Sequence, residues 1–325
     1  MLKAIIVGCG RIAGIMNHSL SSHGGAYLAQ EGVSIIACVD SSKEKSIRFS
    51  EIYHCKAEQD LIKTIEKYQP DIISVCTPDH THFSITKKIF EAKHLPNVIF
   101  LEKPACNSKK EFDYLVRLSS KKNVQIVLNH SRRFDQHHQQ LRERINAEEF
   151  GELKSVYATY YSGWLHNGIH IVDTLYYLFG DPINVDEITS VWESQYENDP
   201  SMELKASFKK HNAIIYLSRF DESDYQLFEI DLRFNQARLR LENFGDRIIL
   251  ETKYMNEIGE NVIEIVDNGL TDRTKTPMQQ AINLICHSIE ENNSGLLDGY
   301  LLKDMEETMN TIWKSKKEYE KHRLK

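Results

Sequence analysis

Apolar residues follow two different rhythms along this chain. Through residue 128 they come in short unbroken runs, Ala4 to Val7, Ile35 to Val39, Ile72 to Cys76, Val98 to Leu101 and Val124 to Leu128, separated by segments of helical length. Uninterrupted apolar runs of this kind fit strands covered on both faces, and their alternation with helices predicts a doubly wound parallel sheet of the α/β class. One helix is expected from Asp60 to Tyr68, stopping before Pro70 because the residue ahead of a proline avoids the helical conformation. Beyond Gly151 the period becomes two, at Ile188 to Trp192, Leu204 to Phe208, Ala213 to Phe220, Leu227 to Phe234, Ala237 to Leu241 and Ile248 to Tyr254. That alternation predicts an α+β domain with an open-faced, mainly antiparallel sheet.

Asn235-Gln236 fits a two-residue hairpin, which sets Phe234 opposite Ala237, Leu232 opposite Leu239 and Asp231 opposite Arg240. The apolar face of this sheet is expected to lie on helices formed by Asp135 to Glu149 and Ile169 to Phe179. The other face carries Glu229, Asp231, Arg233, Arg238 and Arg240, and reads either as a solvated surface or as a contact between subunits. Helices from Met278 to Asn292 and from Lys303 to His322 close the chain. The expected division is therefore a first domain at 1–128 and a second at 129–325.

Length and charge agree with two domains and a small partner. The chain has 325 residues, and its net charge of −7 comes from acidic and basic residues mixed throughout, so it lacks the basic footprint of a nucleic-acid or anionic-membrane binder. No apolar run approaches the ~20 residues of a membrane span, and the first residues enter a strand directly, so a cytoplasmic protein is expected. The six cysteines are scattered without a CxxC pair and read as reduced. His80-x-His82 and His137-His138 offer no third ligand at helix or strand spacing, and no metal is expected.

The clearest chemistry sits where the first strand gives way to a glycine turn. Residues Lys3 to Ala13 run from an apolar strand into Gly8-x-Gly10-x-x-Ala13. Gly8 permits a tight turn, Gly10 leaves room for a pyrophosphate, and Ala13 lets the next helix pack closely, its amino terminus facing the phosphates. Arg11 and Ile12 lie within the same turn. The next apolar run ends in Asp40, placed to accept the hydroxyls of the adenosine ribose and to repel the additional phosphate of NADP. NAD is therefore the expected cofactor, with NADP left open by Lys43 and Lys45. Asp40 stands farther from the glycines than the usual ~20 residues, and the polar stretch Asn17 to Gly25 reads as the insertion responsible. Thr77, Pro78 and His82, after the third long strand, are expected beside the cofactor, because ligands bind at the carboxyl ends of such strands.

Glu102-Lys103-Pro104 follows the strand Val98 to Leu101, so its lysine emerges at that same edge. A lysine there can donate to a substrate oxygen, while Glu102 is placed to hold the ammonium or the nicotinamide ribose. Read from the residues alone, an ordinary charged turn stands equally open. Together with Thr77-Pro78-x-x-x-His82, Arg132-Arg133-Phe134, Phe150-Gly151-Glu152-Leu153 and Gly168-x-His170-x-x-Asp173, these motifs make the chain resemble the glucose-fructose oxidoreductase, inositol dehydrogenase and MocA family of NAD(P)-dependent oxidoreductases, over both domains.

The resemblance implies a Rossmann domain followed by an open-faced sheet domain, with Lys103 and His170 as the catalytic pair and Arg133 at the same substrate. It also implies a homodimer or homotetramer formed through the second sheet. Two departures stand out. His94-Leu95-Pro96-Asn97 lengthens a turn, and His166 occupies the place, four residues before His170, where many members carry an aspartate. His166 is kept as a candidate catalytic residue, and Asn167 as one that orients substrate. Asp173 is expected to support its helix and touch substrate. Tyr161 and Trp164, near the same helix, are candidate faces for stacking on a sugar ring. The expected reaction moves a hydride between nicotinamide and a secondary alcohol or ketone of a sugar, cyclitol or nucleotide sugar. Two other readings are an NAD-dependent glycosidase that oxidises transiently and a cofactor-binding regulator without activity.

Overall fold

The computed structural model describes residues 1–16, 19–221 and 224–323. The chain divides into two compact units, Met1–Asp135 with Arg273–Met305, and Gln136–Asp272 with Glu306–Lys325. The division expected at residue 128 is thus crossed again by a later segment.

The first unit contains β1 (Leu2–Val7), β2 (Val33–Val39), β3 (Lys56–Glu58), β4 (Ile72–Val75), β5 (Val98–Leu101) and β6 (Gln125–Leu128), all parallel in the order 3-2-1-4-5-6. The apolar runs place these strands because every residue of β4 and β5 is buried, as a sheet covered on both sides requires. Its helices are α1 (His23–Leu28), α2 (Lys43–Tyr53), α3 (Leu61–Tyr68), α4 (His82–Ile89), α5 (Lys109–Lys122) and α6 (Ser131–Phe134). Ser42, Asp60 and Ser108 cap α2, α3 and α5 by accepting a backbone N–H three residues on. α3 ends at Gln69 in the left-handed conformation (φ 47°), directly ahead of Pro70.

The second unit opens with α7 (Gln136–Asn146) and holds an eight-stranded sheet. The strands are β7 (Leu153–Tyr161), β8 (Ile183–Trp192), β9 (Ser201–Phe208), β10 (Ile214–Phe220), β11 (Glu229–Phe234), β12 (Ala237–Glu242), β13 (Arg247–Met255) and β14 (Asn261–Val266), with α8 (Ile169–Phe179) between β7 and β8. In the order 14-13-12-11-7-10-9-8 all neighbours are antiparallel except β7 and β10. The hairpin forms in the expected register, with Asp231 opposite Arg240 and Leu232 opposite Leu239. Ile230, Leu232, Leu239 and Leu241 are buried on one face.

A further helix, α9 (Pro277–Glu290), returns to the first unit, and α10 (Glu306–Arg323) ends the second. The reason α9 leaves its sequence neighbours is its apolar face: Met278, Ala281, Ile282, Ile285 and Cys286 join one buried cluster with Ala4, Ile6, Cys38, Ile72 and Val98 of the parallel sheet. A capping box at Thr276 and Gln279, with Pro277 in the first turn, fixes where it starts. Among the described residues no helix is long and apolar enough to cross a membrane.

On the open face of the second sheet, Asp231 does not pair with the Arg240 that faces it. It accepts from Arg238 (2.9 Å) and Arg233 (2.8 Å), while Arg240 turns to Glu242 (2.7 Å) and Glu251 (3.3 Å). The arrangement matches three arginines with three carboxylates, since Arg238 also reaches Glu251 (3.4 Å), the residue opposite it on β13. Burial raises the Asp231 carboxyl, but Arg238 and Arg233 outweigh it and hold it below the usual aspartate range. A depressed folded-state value means that this group stabilises the fold above its unfolded pKa and loses that contribution as pH falls through the folded one. Asp231→Asn should therefore lower stability at pH 7 by about 1 kcal/mol, with the gap from the native protein closing as denaturant titrations are repeated toward pH 3.

Candidate functional site

Two groups of side chains answer to the sequence motifs, one in each unit. In the first, the chain leaves β1 through Gly8, whose φ is 89° and whose place a Cβ would fill only by coming within 2.7 Å of the Thr77 amide nitrogen. Gly8 is thus required twice, by its backbone conformation and by the approach of the turn to the end of β4. Gly10 differs: a Cβ there would meet nothing within 4 Å. The protein itself does not need a glycine at this position, so the open space is available to a ligand.

That space is a cavity of about 560 Å³ lined by Gly8, Gly10, Arg11, Ile12, Ser19, Ser21, Ser22, Asp40, Lys45, Cys76, Thr77 and Pro78. It lies at the carboxyl ends of β1, β2 and β4, where the strand order reverses beside β1, the position at which doubly wound sheets receive dinucleotides. The Asp40 carboxylate is already engaged, accepting from the backbone N–H of Cys9 (2.7 Å) and of Ser42 (2.8 Å). It therefore anchors the glycine turn, and each oxygen keeps a lone pair for a further donor. Lys45 joins it in the lining, while Lys43 is exposed in the first turn of α2.

The helix expected directly behind the glycines does not form there. After a single turn, in which Gly14 N–H donates to the carbonyls of Arg11 and Gly10, the chain reaches Ser19 to Ser22, and α1 starts only at His23. Asn17 and His18, at the head of the polar stretch, lie outside the described residues. Ala13 is buried, but it packs against the returning chain: its carbonyl accepts from Gly24 N–H at 2.9 Å. Serine hydroxyls thus stand in the cavity wall where a helix amino terminus was expected. The signal was the insertion itself, which is too polar and too rich in serine and glycine to continue a helix.

Four of the expected cofactor contacts, Ala13, His82, Glu102 and Lys103, lie outside the lining of that cavity. His82 is buried, with its two ring nitrogens each 2.7 Å from a carbonyl oxygen, of Thr77 and of Pro104. It ties the loop after β4 to the loop after β5. Glu102 is buried too, and one oxygen accepts from His23 Nε2 (2.8 Å) and Asn129 Nδ2 (2.6 Å). Burial opposes its charge, yet His23, Asn129 and the neighbouring Lys103 together hold the carboxyl below the usual range. Lys103 is half-buried and precedes a cis peptide bond to Pro104. Arg133 is buried and donates to the Gly299 carbonyl at 2.7 Å, which anchors the segment before α10 within the first unit. His23 and Asn129 were not visible as site residues, since neither sits in a motif.

In the second unit the motif Gly168-x-His170 lies where a π-helical turn, Trp164–Gly168, runs into α8. His170, the second residue of α8, is half-buried, with its ring edge-on to Phe228 at 6.3 Å. His166 stacks on Tyr196 with ring centroids 3.6 Å apart. Trp164 is fully buried and its indole N–H donates to Ser315 (2.7 Å), so it is a core residue and offers no face to a sugar. Asn167 is buried with its amide on the Ser162 carbonyl (2.7 Å), and Asp173 is buried and accepts from the Thr308 hydroxyl (3.0 Å). Both support the turn and helix that carry His170. Tyr161 is half-buried, edge-on to Phe244. The sequence reading missed Asp199, which accepts from the N–H groups of Leu165 (2.8 Å) and His166 (2.9 Å). Among the described residues no three His, Cys, Asp or Glu side chains converge as metal ligands.

Residues 2–130 match the model of an oxidoreductase family with an NAD-binding Rossmann fold. A D-glucoside 3-dehydrogenase of Escherichia coli is 23% identical over 202 residues, 56% of this chain and 55% of that protein. An inositol 2-dehydrogenase of Rhizobium meliloti is 23% identical over 158 residues, 47% of this chain and 43% of its own. The chain thus spans about half the length of the curated relatives it matches. Among solved structures, a 3-ketoreductase from Actinomadura kijaniata in complex with TDP-benzene and NADP superposes with a TM-score of 0.74 at 11% identity, covering 96% of this chain and 95% of that one, a likeness of fold.

The two glycines can be told apart by substitution. Gly8→Ala should destabilise the protein by at least the ~1–2 kcal/mol of a left-handed alanine, plus the clash with Thr77, and thermal denaturation should show it. Gly10→Ala should leave the melting temperature nearly unchanged and weaken NAD by tenfold or more in a fluorescence titration.

Proposed function

We propose that the chain, whose residues 2–130 match the model of an oxidoreductase family with an NAD-binding Rossmann fold, belongs to the glucose-fructose oxidoreductase, inositol dehydrogenase and MocA family and is an NAD-dependent oxidoreductase. Its reaction interconverts a secondary alcohol and a ketone on a sugar, cyclitol or nucleotide sugar. The observation that carries this reading is the cavity around Gly8 and Gly10, open where a side chain would fit and bordered by Asp40, with Lys103 emerging from the next strand but one. The relatives that act on glucosides and inositol supply the substrate class.

The residues present suit a dinucleotide. Arg11, Lys45 and the hydroxyl of Ser21 supply positive charge and donors for a pyrophosphate, and the remaining lone pairs of Asp40 suit ribose hydroxyls. When bound, the nicotinamide supplies hydride transfer. Asp40 favours NAD over NADP, because an additional phosphate beside its carboxylate is repelled, and Lys45 in the same wall sets the limit of that preference.

Proton handling falls to this chain's own residues. In the oxidation direction the imidazole of His170 accepts the substrate hydroxyl's proton, which a neutral histidine can do near pH 7. The Lys103 ammonium donates to the same oxygen and stabilises the negative charge as it develops. Glu102, held ionised beneath it, keeps a carboxylate beside that ammonium. His82, on the carbonyls of Thr77 and Pro104, ties the loop after β4 to the one that carries Lys103. We further assign the open face of the second sheet, where Tyr157, Tyr216 and Ile214 are exposed among the paired charges, to contact between copies in a homodimer or homotetramer. The six free cysteines suit the reducing cytoplasm.

Purified protein with NAD or NADH, screened against sugars, cyclitols and nucleotide sugars by nicotinamide absorbance, tests the activity. Glycoside cleavage without net NADH formation would identify a hydrolase in its place. On the substrate so found, Lys103→Ala and His170→Ala should each reduce kcat by roughly 10²- to 10⁴-fold while NAD affinity changes little. Near-normal turnover by both would remove them from the mechanism. Asp40→Ala should weaken NAD and narrow its advantage over NADP in the same titration, and a monomer in sedimentation at micromolar concentration would refute the subunit contact.

A further inference from the structure

His170 reaches α8 through an unusual support. Gly163 and the first three residues of the π-helical turn Trp164–Gly168 are held by residues from Tyr196 to Ser201, at the entry to β9, through hydrogen bonds and a ring contact. Gly163 N–H donates to the Ser201 hydroxyl (2.9 Å), Trp164 N–H to the Pro200 carbonyl (3.0 Å), and the N–H groups of Leu165 and His166 to the two oxygens of Asp199 (2.8 and 2.9 Å). The His166 ring stacks on Tyr196, and the gripping segment is itself folded by Asp199 N–H on the Tyr196 carbonyl and by the Ser194 hydroxyl on the Asp199 carbonyl (2.6 Å).

At the centre of this bracket is a carboxylate that is 7% exposed. Gly163 is adapted to it: φ is 77°, and a Cβ there would stand 2.5 Å from Asp199 Oδ2. A wide π turn leaves backbone N–H groups at its start without partners in the preceding residues. Asp199 takes two of them at once, one on each oxygen, which fixes the start of the turn at two successive residues. Burial raises this carboxyl against the opposing pull of the two N–H donors.

We propose that Asp199 is a positioning residue for the reaction: its two-oxygen grip on Leu165 and His166 sets the π-helical turn that aims the His170 imidazole at the substrate. This rests on the reading of His170 as the proton acceptor. No motif marks Asp199, which lies 29 positions beyond His170 in a loop, and its effect passes through backbone, so it touches neither substrate nor cofactor.

The test compares Asp199→Asn with the native full-length protein. One oxygen remains able to accept, but the amide NH₂ now faces a second backbone N–H, so half of the grip is lost. The imidazole signals of His170, assigned by their loss in His170→Gln, should shift in a ¹H–¹⁵N spectrum. On the substrate found by the absorbance screen, kcat should fall roughly 10- to 100-fold, the order expected for a displaced catalytic group, with KM for NAD within twofold and the melting temperature within a few degrees. Asp199→Glu should restore part of kcat. Gly163→Ala, which pushes on the carboxylate without removing it, should repeat the shift and the fall in kcat, and it serves where Asp199→Asn does not fold. Unchanged His170 signals overturn the proposal, as does a shift accompanied by kcat within twofold of native. If the native protein turns over no member of the panel, the functional reading fails separately, and the His170 signals still decide whether Asp199 sets that turn.

Discussion

Where the turn after β1 meets the end of β4, two backbones approach so closely that the Gly8 position excludes even a methyl group. The rest of the first unit is arranged to maintain that approach. Gly8 N–H is held by the Val39 carbonyl, Cys76 N–H by the Val7 carbonyl, and Cys9 N–H by the Asp40 carboxylate, so three strand ends are pinned to one another by two main-chain bonds and one side-chain bond. Beside Gly10 a Cβ would meet nothing within 4 Å, and that space stays open in the wall of the cavity. His82 extends the same logic to β5, joining the Thr77 and Pro104 carbonyls. The functional edge of the sheet is thus a set of loops cross-tied by polar groups with few alternatives, since each buried partner left alone would carry its full desolvation cost.

The features legible in the sequence are those fixed by short-range rules. The covered parallel strands, the period-two strands, the register at Asn235-Gln236 and the stop before Pro70 each follow from residues within a few positions of one another. β7 and β14 went unread, β14 because its apolar residues Val262, Ile263, Ile265 and Val266 fall in adjacent pairs and break the alternation of period two. The start of α1 was misplaced for a related reason: Gly8-x-Gly10-x-x-Ala13 ordinarily announces a helix, and here serines and glycines of the following stretch favour turns. The placement of α9 in the first unit could not be read locally, because its apolar stripe is satisfied equally well by any apolar surface, and only the tertiary structure selects one.

The candidate site divides along the same line. Residues whose task is to leave space or end a strand, Gly8, Gly10, Asp40 and Thr77, could be placed from pattern alone. Residues whose task is to hold others are visible only in three dimensions: His23 and Asn129 around Glu102, and Asp199 on the π-helical turn, come from distant parts of the chain. Trp164, Asn167 and Asp173 carry the reverse lesson. Their chemistry suited a sugar site, yet each is buried and hydrogen-bonded within the second unit, and a polar or aromatic residue near a motif is as often the motif's support as its working surface.

The discontinuity of the first unit bears on how the molecule is made. Its parallel sheet is complete once residue 128 has left the ribosome, but Met278, Ile282, Ile285 and Leu297, which join its buried cluster, are still to be translated. Until then the nascent chain displays an apolar surface with no permanent cover. The first unit therefore completes its buried cluster only once the segment from Met278 to Leu301 has been synthesised, long after the sheet which that segment covers.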